Sequence, residues 1–260
     1  MSLPPVEIRD PGDPRLADYG QLKERRLNAE GGRFVAESER VVRRLITSGL
    51  TVHSVLLTPP RLATLADVLT GPYPVFLAEQ PVLDAIAGFH VHRGCLAVGE
   101  RPRPAPLPSD ARAIVVLEDL TDVDNLGALA RHAAAFGADA LLLSPRCADP
   151  FYRKAIRVSL GAVFALPIVR AQRWPGDLDE LRRDGVTIVG AVVEAGATPL
   201  ARFAPPARFA LLLGAEGPGL SAEARASCDH LVTIPMSPGA DSLNVATAGA
   251  IFLYALTRPA

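Results

Sequence analysis

Three stretches of this chain set carboxylates, amides and one arginine beside glycine turns. The first is Leu117-Glu-Asp-Leu-Thr-Asp-Val-Asp-Asn-Leu-Gly-Ala-Leu-Ala-Arg131. It follows an apolar run and opens a helical pattern. Asp124 or Asn125 can cap that helix, and the acids suit its positive end. Gly127 permits close approach of a backbone or ligand, and Arg131, one turn on, shares its face. Taken alone, this reads first as a capped helix with a solvated arginine. The second stretch is Leu212-Leu-Gly-Ala-Glu-Gly-Pro-Gly-Leu-Ser221. Gly214, Gly217 and Gly219 give a loop whose backbone can lie flat on a ligand. Its frame is that of a phosphate loop, but Leu220 stands where that loop needs lysine, and the dinucleotide fingerprint is not met. Glu216 in mid-loop repels phosphate, so the expected ligand is neutral, cationic or held through a sugar. The third stretch, Ile234-Pro-Met-Ser-Pro-Gly-Ala-Asp-Ser-Leu-Asn-Val-Ala246, ends in Ser242 and Asn244 at a helix start, where either residue serves as a cap.

The elements around these stretches alternate between strand and helix. Ala113–Leu117 is an unbroken apolar run of the kind that forms a buried parallel strand. A helix is predicted over Leu126–Phe136, then strands over Ala140–Leu143, Val186–Val193, Phe209–Leu213 and Leu231–Ile234. Helices are predicted over Leu178–Arg183 and Val245–Leu256. In such a sheet, ligands bind at the carboxyl ends of the strands, where all three stretches fall. The alternating prolines of Glu100–Ser109 favour an extended linker, so a boundary is expected there, with domains over 1–100 and 110–260 and a linker over 101–109. The first part reads as a smaller α/β domain. It has helices over Leu22–Ala29, Glu37–Ser48, Leu62–Leu69 and Pro81–Ile86, and strands over Val52–Leu57, Pro74–Leu77 and Cys95–Val98.

Composition narrows the class. At 260 residues, 49% apolar and 21% charged, the chain is long enough for one large or two modest cores. It lacks an apolar run that would span a membrane, and its acidic, proline-containing start does not suit a secretory leader. Cys95, Cys147 and Cys228 are dispersed, so neither disulfides nor a zinc site is expected, and the chain is read as cytoplasmic. None of the five histidines has metal-ligand spacing on a helix. The net charge of −1 gives no broad electrostatic footprint for nucleic acid, but Gln21–Arg44 holds seven bases against four acids.

Together and in this order, the three stretches resemble the SpoU (TrmH-type) family of RNA ribose methyltransferases. The matching residues are Asn125-x-Gly127-x-x-x-Arg131, Leu213-Gly214-x-Glu216-Gly217-x-Gly219-Leu220, and Ile234-Pro235-Met236 followed by Ser242-Leu243-Asn244-Val245. Arg153-Lys154-Ala-Ile-Arg-Val-Ser159-Leu-Gly161-Ala162 is similar to a further family segment. Arg33-Phe-Val-Ala-Glu37-x-x-Arg40-Val41-Val42 and His92-Arg93-Gly94 resemble the family's ribosomal-protein-like RNA-binding domain.

The resemblance implies a knotted parallel-sheet C-terminal domain that binds S-adenosylmethionine, without a metal. Leu213, Gly214, Gly219, Ile234, Met236 and Leu243 would contact the donor. Arg131, Asn125, Glu216, Ser242 and Asn244 would form the catalytic group. It also implies a homodimer through the C-terminal domain and structured RNA as partner, ribosomal ahead of transfer RNA, with neither DNA nor membrane. Lys23, Arg25, Arg26, Arg33, Arg40 and Arg93 are the expected RNA contacts. Arginine keeps its proton, so Arg131 is read as holding phosphate and stabilising a developing alkoxide. The alternative is a noncatalytic RNA-binding or ribosome-assembly protein of the same fold.

Overall fold

The computed structural model describes residues 4–20, 32–91 and 93–257. The predicted helix Leu22–Ala29, with Lys23, Arg25 and Arg26, lies outside the described residues, as does His92. No described helix is long and apolar enough to cross a membrane. The chain divides into two compact units: 1–103 with 151–165, and 104–150 with 166–260.

The first unit holds a mixed five-stranded sheet. Its strands are β1 (Val6–Ile8), β2 (Arg33–Glu37), β3 (Val52–Leu57), β4 (Val75–Ala78) and β5 (Cys95–Glu100), in the order β1-β4-β3-β5-β2. β1 and β3 run parallel to β4, while β5 is antiparallel to β2 and β3. Helices α1 (Glu39–Thr47), α2 (Pro59–Leu65) and α3 (Gln80–Ala87) complete the alternation. Gly49 ends the α1 turn at φ +83°, as the sequence leads one to expect. β1 and β2 are not anticipated: β1 has only three residues, and β2 is an Arg33-to-Glu37 segment with charged ends whose last residue reads as the start of the following helix.

Phe151–Ala165 belongs to this first unit, although the sequence analysis assigns it to the second domain. Packing explains the difference. Phe34 of β2 has Phe151 and Phe164 at ring-centroid distances of 5.4 and 5.2 Å. Arg153 and Arg157 of α4 (Arg153–Val158) lie 3.7 and 3.6 Å from the Glu37 carboxylate, and Arg44 donates to the Leu160 carbonyl at 2.8 Å. These partners are more than a hundred residues away, so local pattern cannot reveal them.

The second unit is built on an all-parallel seven-stranded sheet. Its strands are β6 (Ala113–Leu117), β7 (Ala140–Leu143), β8 (Ile168–Arg170), β9 (Thr187–Ala191), β10 (Thr198–Pro199), β11 (Phe209–Leu213) and β12 (His230–Thr233). Their order is β10-β12-β9-β11-β6-β7-β8. All residues of β6, β7 and β11 are buried, so these strands read as continuous apolar runs. Helix α5 (Val123–Ala135) starts three residues earlier than predicted. Its cap is Asp122, whose Oδ1 accepts from the N–H groups of Asp124 and Asn125 at 2.8 and 2.9 Å. That corrects the assignment of the cap to Asp124 or Asn125, and it leaves the Asn125 side chain available. Helices α6 (Gly176–Arg183), α7 (Ala222–Ala226) and α8 (Val245–Leu256) follow.

α8 packs on α5 through a glycine. A Cβ at Gly249 would lie 2.3 Å from Leu129 Cδ2 and 3.0 Å from Leu213 Cδ1, and both leucines are buried. Gly→Ala inside a helix ordinarily stabilises by about 0.5–1 kcal/mol. Here overpacking, at about 1–3 kcal/mol, reverses the sign. Gly249→Ala is expected to lower the denaturant midpoint in equilibrium unfolding; an unchanged or higher midpoint would mean that the two helices have room to separate.

Candidate active site

The carboxyl ends of β9, β11 and β12 and the start of α8 surround a cavity of about 510 Å³ in the second unit. This is within the ordinary range for a small-molecule site. Leu213, Gly214, Gly219, Ile234, Met236 and Leu243, the six candidate donor contacts, all line it. Ser242 lines it as well.

The glycine loop after β11 doubles back tightly. Gly219 N–H donates to the Ala215 carbonyl at 3.0 Å, and the two residues form an isolated bridge. Gly217 and Gly219 take φ of +87° and +71°, a region costly to other residues. At Gly214 the constraint is space: a Cβ would sit 2.2 Å from the Gly219 carbonyl carbon. The turn carries Glu216 at its tip, between two residues that line the cavity.

Glu216, Asn125 and Asn244 meet there. Asn244 caps α8, its Oδ1 accepting from Ala246 and Thr247 N–H at 3.0 and 3.2 Å. The cap fixes the amide's orientation, so Nδ2 points away from the helix. It donates to Asn125 Oδ1 at 2.8 Å and to Glu216 Oε1 at 3.1 Å. Asn125 Nδ2 donates to the same Glu216 oxygen at 2.8 Å. The three side chains come from sequence positions up to 119 residues apart. The second carboxylate oxygen of Glu216 remains available to a hydroxyl or a cation.

Arg131 does not join this group. It is exposed on α5 and makes no hydrogen bond or ion pair with any described residue. Ser242 is exposed and stands outside the three-residue network. In the first unit, Arg40 and Arg93 are exposed, while Arg33 donates to Asp18 at 2.6 Å.

Sequence reasoning missed several cavity residues. Ala191, Val192, Val193 and Glu194 line it because β9 ends at Ala191, two residues before the predicted end, and the chain turns over the cavity. Arg225 of α7 also lines it and pairs with Glu194 at 2.6 Å. Behind the wall, buried Glu118 accepts from Trp174 Nε1, Ser221 Oγ and Ser221 N–H at 2.8, 2.7 and 2.9 Å. Its one sequence signal is its place directly after a buried apolar strand. Next to it, Asp119 takes φ +52°, held by Ser144 and by Arg146, whose hydrogen bond keeps that carboxyl below its usual range.

A parallel α/β sheet with a glycine-loop cavity at its carboxyl edge, and an amide–carboxylate cluster beside that cavity, is the arrangement in which open α/β proteins bind small molecules. Residues 112–254 match the model of the SpoU rRNA methylase family, and the chain belongs to that family. An uncharacterized tRNA/rRNA methyltransferase of Mycobacterium bovis is 40% identical over 97% of this chain and 91% of its own length. RlmP of Bacillus subtilis, a 23S rRNA guanosine 2′-O-methyltransferase, is 29% identical over 96% of this chain and 98% of its own. The solved AdoMet-bound rRNA methyltransferase of Sinorhizobium meliloti superposes with a TM-score of 0.82 at 26% identity, covering 96% of this chain and 97% of that one.

Proposed function

We propose that this chain is an S-adenosylmethionine-dependent methyltransferase that modifies a ribose 2′-hydroxyl of structured RNA, with ribosomal RNA ahead of transfer RNA. The observation that carries the reading is the convergence of Asn125 with Glu216 and Asn244, the latter two each set between residues that line the cavity.

The donor fits the residues present. Its adenosine suits the apolar side chains of Ile234 and Leu243 and the exposed backbone of the glycine loop. Its net positive charge suits a cavity lined by Glu194, Asp241 and one arginine. When bound, it supplies a methyl group on a sulfonium, a leaving group that is already activated. What is left to the chain is alignment and easing the loss of the hydroxyl proton. Asn125 and Asn244 hold Glu216 in place, so its second oxygen is positioned to accept a hydrogen bond from the incoming hydroxyl. Arg131 is uncommitted and permanently charged, which suits an RNA phosphate and the developing alkoxide.

Several finer features belong to the same reading. Arg40 and Arg93 offer RNA contacts in the first unit, and Arg33 does so once released from Asp18. Family membership supports a knotted chain around the donor and a cytoplasmic location. Exposed Ile251 and Tyr254 on α8 support a homodimer through this domain. The test is incubation of the protein and donor with total RNA from a strain lacking the gene, then nucleoside mass spectrometry. A gain in one 2′-O-methylated nucleoside is expected. Donor binding without any gain would argue against this RNA pool as substrate, and absence of donor binding would favour the noncatalytic RNA binder.

A further inference from the structure

We infer that Glu118 is a positioning residue for the methyl donor: it holds the cavity wall formed by the end of the glycine loop and α7. This inference rests on the donor-site reading above.

Glu118 directly follows β6 and is 3% exposed. A buried carboxylate is costly unless its lone pairs are taken. Here three donors take them, and two belong to Ser221. Ser221 is the hinge of the wall. On its N-terminal side are Pro218, Gly219 and Leu220, which line the cavity. On its C-terminal side, Ser221 Oγ accepts from Ala224 N–H at 3.1 Å and caps α7, whose Arg225 lines the cavity and pairs with Glu194. One hydroxyl therefore donates to Glu118 while capping the helix. Glu118 fixes where that helix begins, and so fixes both the loop and Arg225. The third donor, Trp174 Nε1, arrives from the chain after β8 and braces the carboxylate from another side. The Glu118 backbone N–H donates to the carbonyl of cavity-lining Leu213 at 2.9 Å, but among the described residues its carboxylate bonds neither a cavity-lining residue nor the Asn125–Glu216–Asn244 cluster, so the influence of the side chain is indirect.

Removing the charge should act on donor binding more than on chemistry. Glu118→Gln keeps the shape but, in either orientation of the amide, turns its NH2 on a donor that needs an acceptor, Trp174 Nε1 in one and Ser221 N–H in the other. The loss of charge-assisted hydrogen bonds implies a donor affinity about 10–100-fold weaker. Ser221→Ala should weaken it comparably, and Ser221→Thr, which keeps the hydroxyl and the cap, should restore it. Because Glu118 and Ser221 act as one unit, the double variant should be little worse than Glu118→Gln alone.

The experiment is calorimetric titration of the full chain with S-adenosylhomocysteine at 15–20 °C, paired with thermal unfolding and single-turnover methyl transfer at saturating donor. The expected result is a weaker Kd, a raised donor KM and a saturated rate within about threefold of wild type. A lower unfolding temperature with an unchanged Kd would overturn the inference and leave Glu118 a purely structural residue. So would a failure of Ser221→Thr to restore a Kd lost in Ser221→Ala. If Glu118→Gln does not fold, the Ser221 pair decides. Absence of binding by the wild-type protein would instead overturn the donor-site reading itself.

Discussion

Arg131→Ala is expected to reduce methyl transfer by at least about 10²–10³-fold while leaving the affinity for the donor within twofold of wild type. The reasoning starts from what Arg131 does not do. It is exposed, takes no part in the amide–carboxylate cluster, and pairs with no described residue. Its removal therefore leaves no buried charge, opens no core cavity and does not disturb α5, where alanine is the best helix former. A structural role would need partners that the side chain does not have among the described residues. A role toward RNA needs what it has: a fixed positive fork, free to meet a phosphate and the charge growing on the ribose oxygen. Arg131→Lys keeps the charge but loses the fork, so it should fall between alanine and wild type. Single-turnover transfer and calorimetric titration with S-adenosylhomocysteine separate the two effects. An equal loss of transfer and donor binding would place Arg131 in the donor site and remove it from the acceptor side.

The pieces of this architecture differ in how legible they were. The strands Ala113–Leu117, Ala140–Leu143 and Phe209–Leu213 and the helix Val245–Leu256 end where their apolar patterns end. Burial on both faces writes a continuous run into the sequence, and Asn244 marks the start of the last helix. The parallel seven-stranded sheet is consistent with that alternation, and the SpoU motifs named the family. The cap at Asp122 was misassigned because two acids and an asparagine within four positions compete equally on type alone. The placement of Phe151–Ala165 depends on Phe34 and Glu37, and no local signal carries it. The cluster of Asn125, Glu216 and Asn244 shows the same limit. Each residue was picked out by its motif, yet only the folded sheet brings one carboxylate oxygen within reach of two amides. Glu118 is hard to read from sequence because it stands with Asp119 just past an apolar run, where acids ordinarily mark the start of a solvated loop.

Gly214→Ala should weaken donor binding by about a hundredfold or more, with a fall in transfer at least as large. Gly214 is not among the glycines with positive φ, so the cost does not come from a left-handed conformation. It comes from atoms already in place. The added methyl carbon would lie 2.2 Å from the Gly219 carbonyl carbon, 2.4 Å from its oxygen and 2.5 Å from Leu220 N. Those are backbone atoms of the returning strand of the turn, and no rotamer change moves them aside. Relief requires opening the turn, which breaks the Gly219-to-Ala215 hydrogen bond and shifts two cavity-lining residues. It also carries Glu216 away from Asn125 and Asn244, so binding and chemistry decline together, unlike the split expected for Arg131. Gly217→Ala provides the contrast. Its φ is +87° and nothing lies within 4 Å of the added carbon, so the penalty is conformational, about 1–2 kcal/mol, and the turn can still close. Donor affinity should then fall by roughly tenfold rather than a hundredfold. Equal effects at the two positions would mean that loop flexibility, and not the close backbone approach at Gly214, holds the donor.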